Sequence, residues 1–307
     1  MEHTESELYT LKNQFYSHQH QKVIAYSLDQ FSENVQLSVL SFQIRSTVSL
    51  GKDASPLIDD GKTKFPESEA LFQLLQAWND LHSFGTDDST YFNDVETPTT
   101  ALEAVLTAIY LVKVGKNIDQ AIQILTTYID SNPSELEPFL LLVQLYLVKG
   151  NFTSALKIFN DFQSFSSDAR DSIIYSVLES WIHSIKGESD NISNAYYFYD
   201  DLLSGDFDDD SEGKFKLLIS VFVLTLQLKH YPEAQELLIQ IASLSPKPNA
   251  DFIANQITAD YLMNNGSKVG PLLEELASVD PDHQLMVELK EKNQLFDEIV
   301  SKYKVES

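Results

Sequence analysis

Apolar residues recur at three- and four-residue intervals along most of this 307-residue chain, the spacing that gathers them on one face of an α-helix. Ala121 and Ala155 lie in a common frame, with Leu125 and Phe159 four positions after each and an apolar helical stretch before each. No long alternation of Val, Ile and Thr interrupts the helical period, helix formers dominate, and glycine is sparse. The pattern predicts an all-α fold.

The 34-residue step from Ala121 to Ala155 resembles the tetratricopeptide repeat, a helix–turn–helix unit with small and aromatic residues at fixed offsets. In the clearest unit, Phe139, Leu142 and Tyr146 fill the first helix, Gly150-Asn151 supplies the turn, and Phe152, Ala155 and Phe159 fill the second. Ala155 is small because the two helices cross there. Pro133 closes the preceding hairpin. Ala195 with Tyr199 continues the frame after a stretched step, and Ala234 heads another copy with Tyr231, Leu238 and Pro246. A degenerate unit around Val269 to Leu276 precedes Pro281. The expected architecture is one tetratricopeptide-like helical-repeat superhelix, an α-solenoid over residues 1–307, with its clearest repeats at 102–168 and 215–248. A helix at about 283–304 is expected to cap it. There Leu295, Phe296, Ile299, Val300 and Tyr303 share a face, with Lys292, Asp297 and Lys302 off it.

Charge constrains partners more than fold. A net charge of −25 disfavours nucleic acid and anionic lipid as direct ligands, since both need basic surface. The run Asp206 to Glu212, within an acidic segment at 204–214, reads as an exposed loop. The apolar run Leu217 to Leu228 is too short to span a bilayer and reads as a buried helix. The first ten residues are acidic and polar, unlike a signal peptide. Cytoplasm is the expected compartment, and the sequons at Asn151, Asn191 and Asn265 read as turn residues.

Apparent chemical motifs fail on inspection. Gly61-Lys62-Thr63 resembles the end of a phosphate loop, but Pro56 stands where the first glycine belongs. The Asp206 run begins like a calcium loop, yet Ser211 and Leu217 replace the required glycine and glutamate. His18 and His20 lack a third ligand at suitable spacing, and the chain has no cysteine. No catalytic residue, cofactor or metal is expected.

The inner face of such an array is formed by the first helix of each hairpin. Counting back from Ala121 gives Glu103, Leu106, Tyr110, Lys113 and Val114; from Ala155, Glu137, Leu140, Gln144, Leu147 and Val148; from Ala234, Lys216, Ile219, Val223, Leu226 and Gln227. The middle positions are apolar. Either tight curvature buries them within the chain, or they form a partner-binding surface. The expected partner contacts are Leu106, Tyr110, Val114, Leu140, Gln144, Leu147, Ile219, Val223 and Leu226. Repeats that hold acidic chaperone tails carry Lys and Asn at these positions, which this chain mostly lacks.

Four segments carry a more specific resemblance. They are Leu8 to Tyr16, the aromatic-rich Ala195 to Leu202, Phe252 to Thr258, and Lys290 to Val300 followed by Tyr303. In order and spacing they resemble the epsilon-subunit family of coatomer, the COPI vesicle coat, particularly its fungal members. The resemblance implies a non-enzymatic coat component whose repeats wrap the C-terminal region of the alpha subunit. It implies membrane attachment only indirectly, as part of the coat on Golgi membranes and COPI vesicles, in retrograde Golgi-to-endoplasmic-reticulum and intra-Golgi transport. The competing class is a generic helical-repeat adaptor for chaperones or another complex.

Overall fold

The computed structural model describes residues 2–86, 90–162, 167–205, 207, 210–244 and 247–303. These residues form helices and connections with no strand among them. The chain is an all-α helical-repeat protein. It divides into two units, Met1–Leu217 and Leu218–Ser307.

The first unit opens with α1 (Glu2–Tyr16), α2 (His20–Ala25) and α3 (Glu33–Ser49). Leu8, Leu11, Val23, Val35 and Val39 make a small core among them. Next come α4 (Ser55–Lys64), α5 (Glu69–Phe84) and the four-residue α6 (Tyr91–Asp94). Gly61 sits inside α4, where a Cβ would lie 2.3 Å from the Phe72 ring on α5. The glycine that resembled a phosphate loop is there because two helices approach closely.

The regular hairpins follow. They are α7 (Ala101–Lys113) with α8 (Ile118–Ser131), and α9 (Leu136–Val148) with α10 (Phe152–Phe162). The four-residue α11 (Ser167–Arg170) precedes the pair α12 (Ile173–Lys186) and α13 (Ser189–Leu203). Side-chain caps start α7, α8 and α10: Thr100 Oγ1 accepts from Glu103 N (3.2 Å), Asn117 Oδ1 from Gln120 N (3.1 Å) and Asn151 Oδ1 from Ser154 N (3.1 Å). Gly150, at φ 69°, makes the left-handed turn between α9 and α10. Ala121, Ala155 and Ala195 are all buried, as are Leu125 and Phe159. The wider step to Ala195 arises because α11 and its connections are inserted between hairpins. The aromatic cluster divides. Tyr197 is exposed, whereas the Tyr199 hydroxyl receives hydrogen bonds from Trp181 Nε1 (3.0 Å) and Ser180 Oγ (3.3 Å).

Residues expected as an exposed acidic loop are partly interior. Asp206, Asp208 and Asp209 lie outside the described residues, but Phe207 and Asp210 are buried, and the helix α14 (Ser211–Gln227) already includes Ser211 and Glu212. Asp210 caps α14 by accepting from Gly213 N (2.9 Å) and also accepts from Gln21 N (3.3 Å). A carboxylate with two backbone donors is satisfied out of water, which composition could not reveal.

The second unit contains the rest of α14, then α15 (Tyr231–Ser243), α16 (Ala250–Asn264), α17 (Val269–Val279) and α18 (Gln284–Lys302). Ala234 is buried in α15; Pro246 lies outside the described residues. The α16–α17 hairpin closes on Ile253, Ile257, Val269 and Leu276, and the first turn of α18 adds Leu285 and Met286. From Val287 onward α18 is exposed, so it covers that hairpin only with its first turn. No helix of the described residues is long and apolar enough to cross a membrane.

Candidate partner-binding site

The inner-face positions of the first unit gather on one core. Leu106 and Tyr110 are buried in it, and Leu140 and Leu147 are partly buried against it. Tyr110 stacks on Phe92 at 5.1 Å between ring centroids, and its hydroxyl donates to Asn93 Oδ1 at 3.0 Å. Val114 is 47% exposed, and Gln144 is also exposed. In α14, Ile219 and Val223 are half-buried and Leu226 is buried. The nine positions are therefore graded. Leu106 and Tyr110 belong to the core of the first unit and Leu226 is buried in the second, while the other six keep surface available.

Glu137, counted to the same face, meets the chain itself. Its carboxylate takes both arms of the Arg45 guanidinium, reaching from α9 to α3, with Nη1 3.2 Å from Oε2. Tyr16, at the end of α1, hydrogen-bonds into the same pair. Burial, followed by the Glu137 charge, pushes the Tyr16 hydroxyl well above its ordinary pKa. Burial disfavours the Arg45 charge, but Glu137 and Tyr16 overcome it, and the guanidinium pKa lies above its usual value. The Arg45 guanidinium also lies 4.6 Å from the Phe15 ring centroid. Thus Arg45 of α3 and Tyr16 of α1 reach the start of α9 through this cluster, and α1 lies beside α12. Between α1 and the α12–α13 pair remains a cleft of about 370 Å³, lined by Tyr9, Asn13, Gln14, Ile173, Ser176 and Phe198 among others.

Sequence reasoning missed Arg45 and Tyr16. A signal was available: Arg45 is one of two arginines in the chain and, after Glu33 in the first turn, the only charged residue of its helix. An arginine in such a stretch requires a buried acid. Of the histidines expected to be poor ligands, His20 is buried and His18 is half-buried beside the start of α14. Burial, then Lys216, lowers the pKa of His18 to about 3 and that of His20 to about 4. His20 Nδ1 lies 3.2 Å from Ser46 Oγ. Among the described residues no group of three His, Cys, Asp or Glu side chains could hold a metal. The surface offers apolar contact and hydrogen bonding.

Comparison with known proteins supplies the identity of the array. The coatomer epsilon subunit family profile matches residues 4–304. Coatomer subunit epsilon of Saccharomyces cerevisiae is 28% identical over 201 residues, covering 61% of this chain and 65% of that protein. The chain thus matches slightly less than two thirds of that relative's length. With the family profile spanning nearly the whole chain, the chain belongs to the coatomer epsilon subunit family.

Proposed function

We propose that the chain is a non-enzymatic structural subunit of the COPI coat that binds and stabilises the C-terminal region of the coatomer alpha subunit. Family membership together with the graded apolar face supports this reading. Leu106 and Tyr110 in the first unit and Leu226 in the second support the contact from beneath, and Val114, Leu140, Gln144, Leu147, Ile219 and Val223 touch the partner. Completing the burial of apolar side chains of this kind contributes up to roughly 1.5–3 kcal/mol each when desolvation is full. Half-buried residues contribute part of that, so several together give a stable complex.

In this reading the subunit works in the cytoplasm and reaches Golgi membranes and COPI vesicles through its partners. It serves retrograde Golgi-to-endoplasmic-reticulum and intra-Golgi transport. An acidic chain suits attachment through protein contacts and not through anionic lipid. Affinity capture from cytosol with this chain as bait tests the assignment. Recovery of coatomer alpha with its companion subunits supports it. Recovery of chaperones or an unrelated assembly without alpha contradicts it.

A further inference from the structure

Among the described residues of the second unit, exposed apolar side chains run along α18. Leu285 seats the helix on its neighbouring hairpin. Leu289, Phe296, Ile299 and Tyr303 continue the same line outward, Phe296 being 66% and Tyr303 77% exposed. Positions 285, 289, 292, 296, 299 and 303 alternate in steps of four and three, the seam of a two-helix coiled coil. At 100° per residue Lys292 falls inside this seam, correcting the expectation that it lies off the apolar face.

We propose that the seam pairs with the same seam on a second copy of this chain, antiparallel about a two-fold axis near Leu295. In that register Leu289 packs on the partner's Ile299, and Lys292 lies over the ring of the partner's Phe296. Glu288 faces the partner's Lys302, and Leu295 faces its own equivalent. Two-fold symmetry repeats each of these contacts. A parallel pair would instead oppose Lys292 to Lys292 in the seam, a repulsion that the antiparallel register replaces with attraction. Charge complementarity selects the occupant, because the helix contains the complement of its own seam lysine and of its flanking ions. Glu288, Lys292 and Lys302 are all exposed. The pairing segment from Leu289 to Tyr303 is only about 22 Å long, so association is weak and concentration-dependent. The charge of −25 on each copy opposes it, and added salt therefore strengthens it.

Sedimentation of the full chain from micromolar to millimolar concentration tests the proposal. A monomer–dimer equilibrium is expected. Glu288→Lys or Lys302→Glu alone should weaken it about tenfold, while the double reversal returns it to near the original affinity. Phe296→Ser should remove it with helical content unchanged. A chain that stays monomeric throughout overturns the proposal, including one whose seam captures lipid vesicles or another coat subunit instead. So does a dimer that ignores the charge reversals or survives Phe296→Ser.

Discussion

Arg45 on α3 and Glu137 at the start of α9 form a buried bidentate ion pair across 92 residues of chain. The pair ties α3 to the start of α9. Desolvating two charges offsets much of their attraction, so the pair matters chiefly through what breaking it leaves behind. Glu137→Gln strands a buried guanidinium and should destabilise the fold by about 3–5 kcal/mol in denaturant titration. The double variant Arg45→Met with Glu137→Leu, which buries no charge, should recover most of that loss.

Gly61 tests the helix crossing. Gly61→Ala drives a methyl group into the Phe72 ring and should cost about 1–3 kcal/mol. Phe72→Leu on its own leaves a cavity in the core. Combined with Gly61→Ala it makes room for the methyl group, so the double variant should lose less than the sum of the two single losses. Additive losses would show that the two residues do not share that space.

The enclosed histidines make stability depend on pH. His18 and His20 have folded pKa values of about 3 and about 4, below their ordinary value. Between those values and about 6.5 the unfolded chain binds more protons than the folded one. Their contribution is complete above about pH 6.5 and is lost as pH falls toward 4 and then 3. Each histidine adds a slope of at most roughly 1.4 kcal/mol per pH unit in that window. Lys216 faces both rings, Arg45 also faces His20, and Asp210 acts on His18 in the opposite sense. His18→Gln with His20→Asn should flatten the stability profile between pH 7 and 4, measured by chemical denaturation. An unchanged slope would assign the acid sensitivity to other groups.

The repeat was legible because a close helix crossing admits only a small residue. Ala121, Ala155, Ala195 and Ala234 are all buried, as that argument requires. The apolar run in α14 is likewise an interior helix. What periodicity could not supply was long-range packing. Glu137 counts onto the inner face yet pairs with Arg45, because the side chains of Arg45 from α3 and Tyr16 from α1 reach that position. Asp210 sits in an acidic run yet is buried, because two backbone N–H groups replace its water. Composition weighs charge and apolarity but contains no record of which distant backbone donors a carboxylate will find.

The central claim is that half-buried inner-face residues hold the coatomer alpha subunit. It is tested most directly by co-expressing this chain with an alpha C-terminal fragment and resolving the products by size exclusion. The wild-type chain should elute with the fragment as one complex. Leu140→Asp with Ile219→Asp should elute apart from it, with helical content by circular dichroism retained. Undiminished co-elution of that folded double variant would contradict the account.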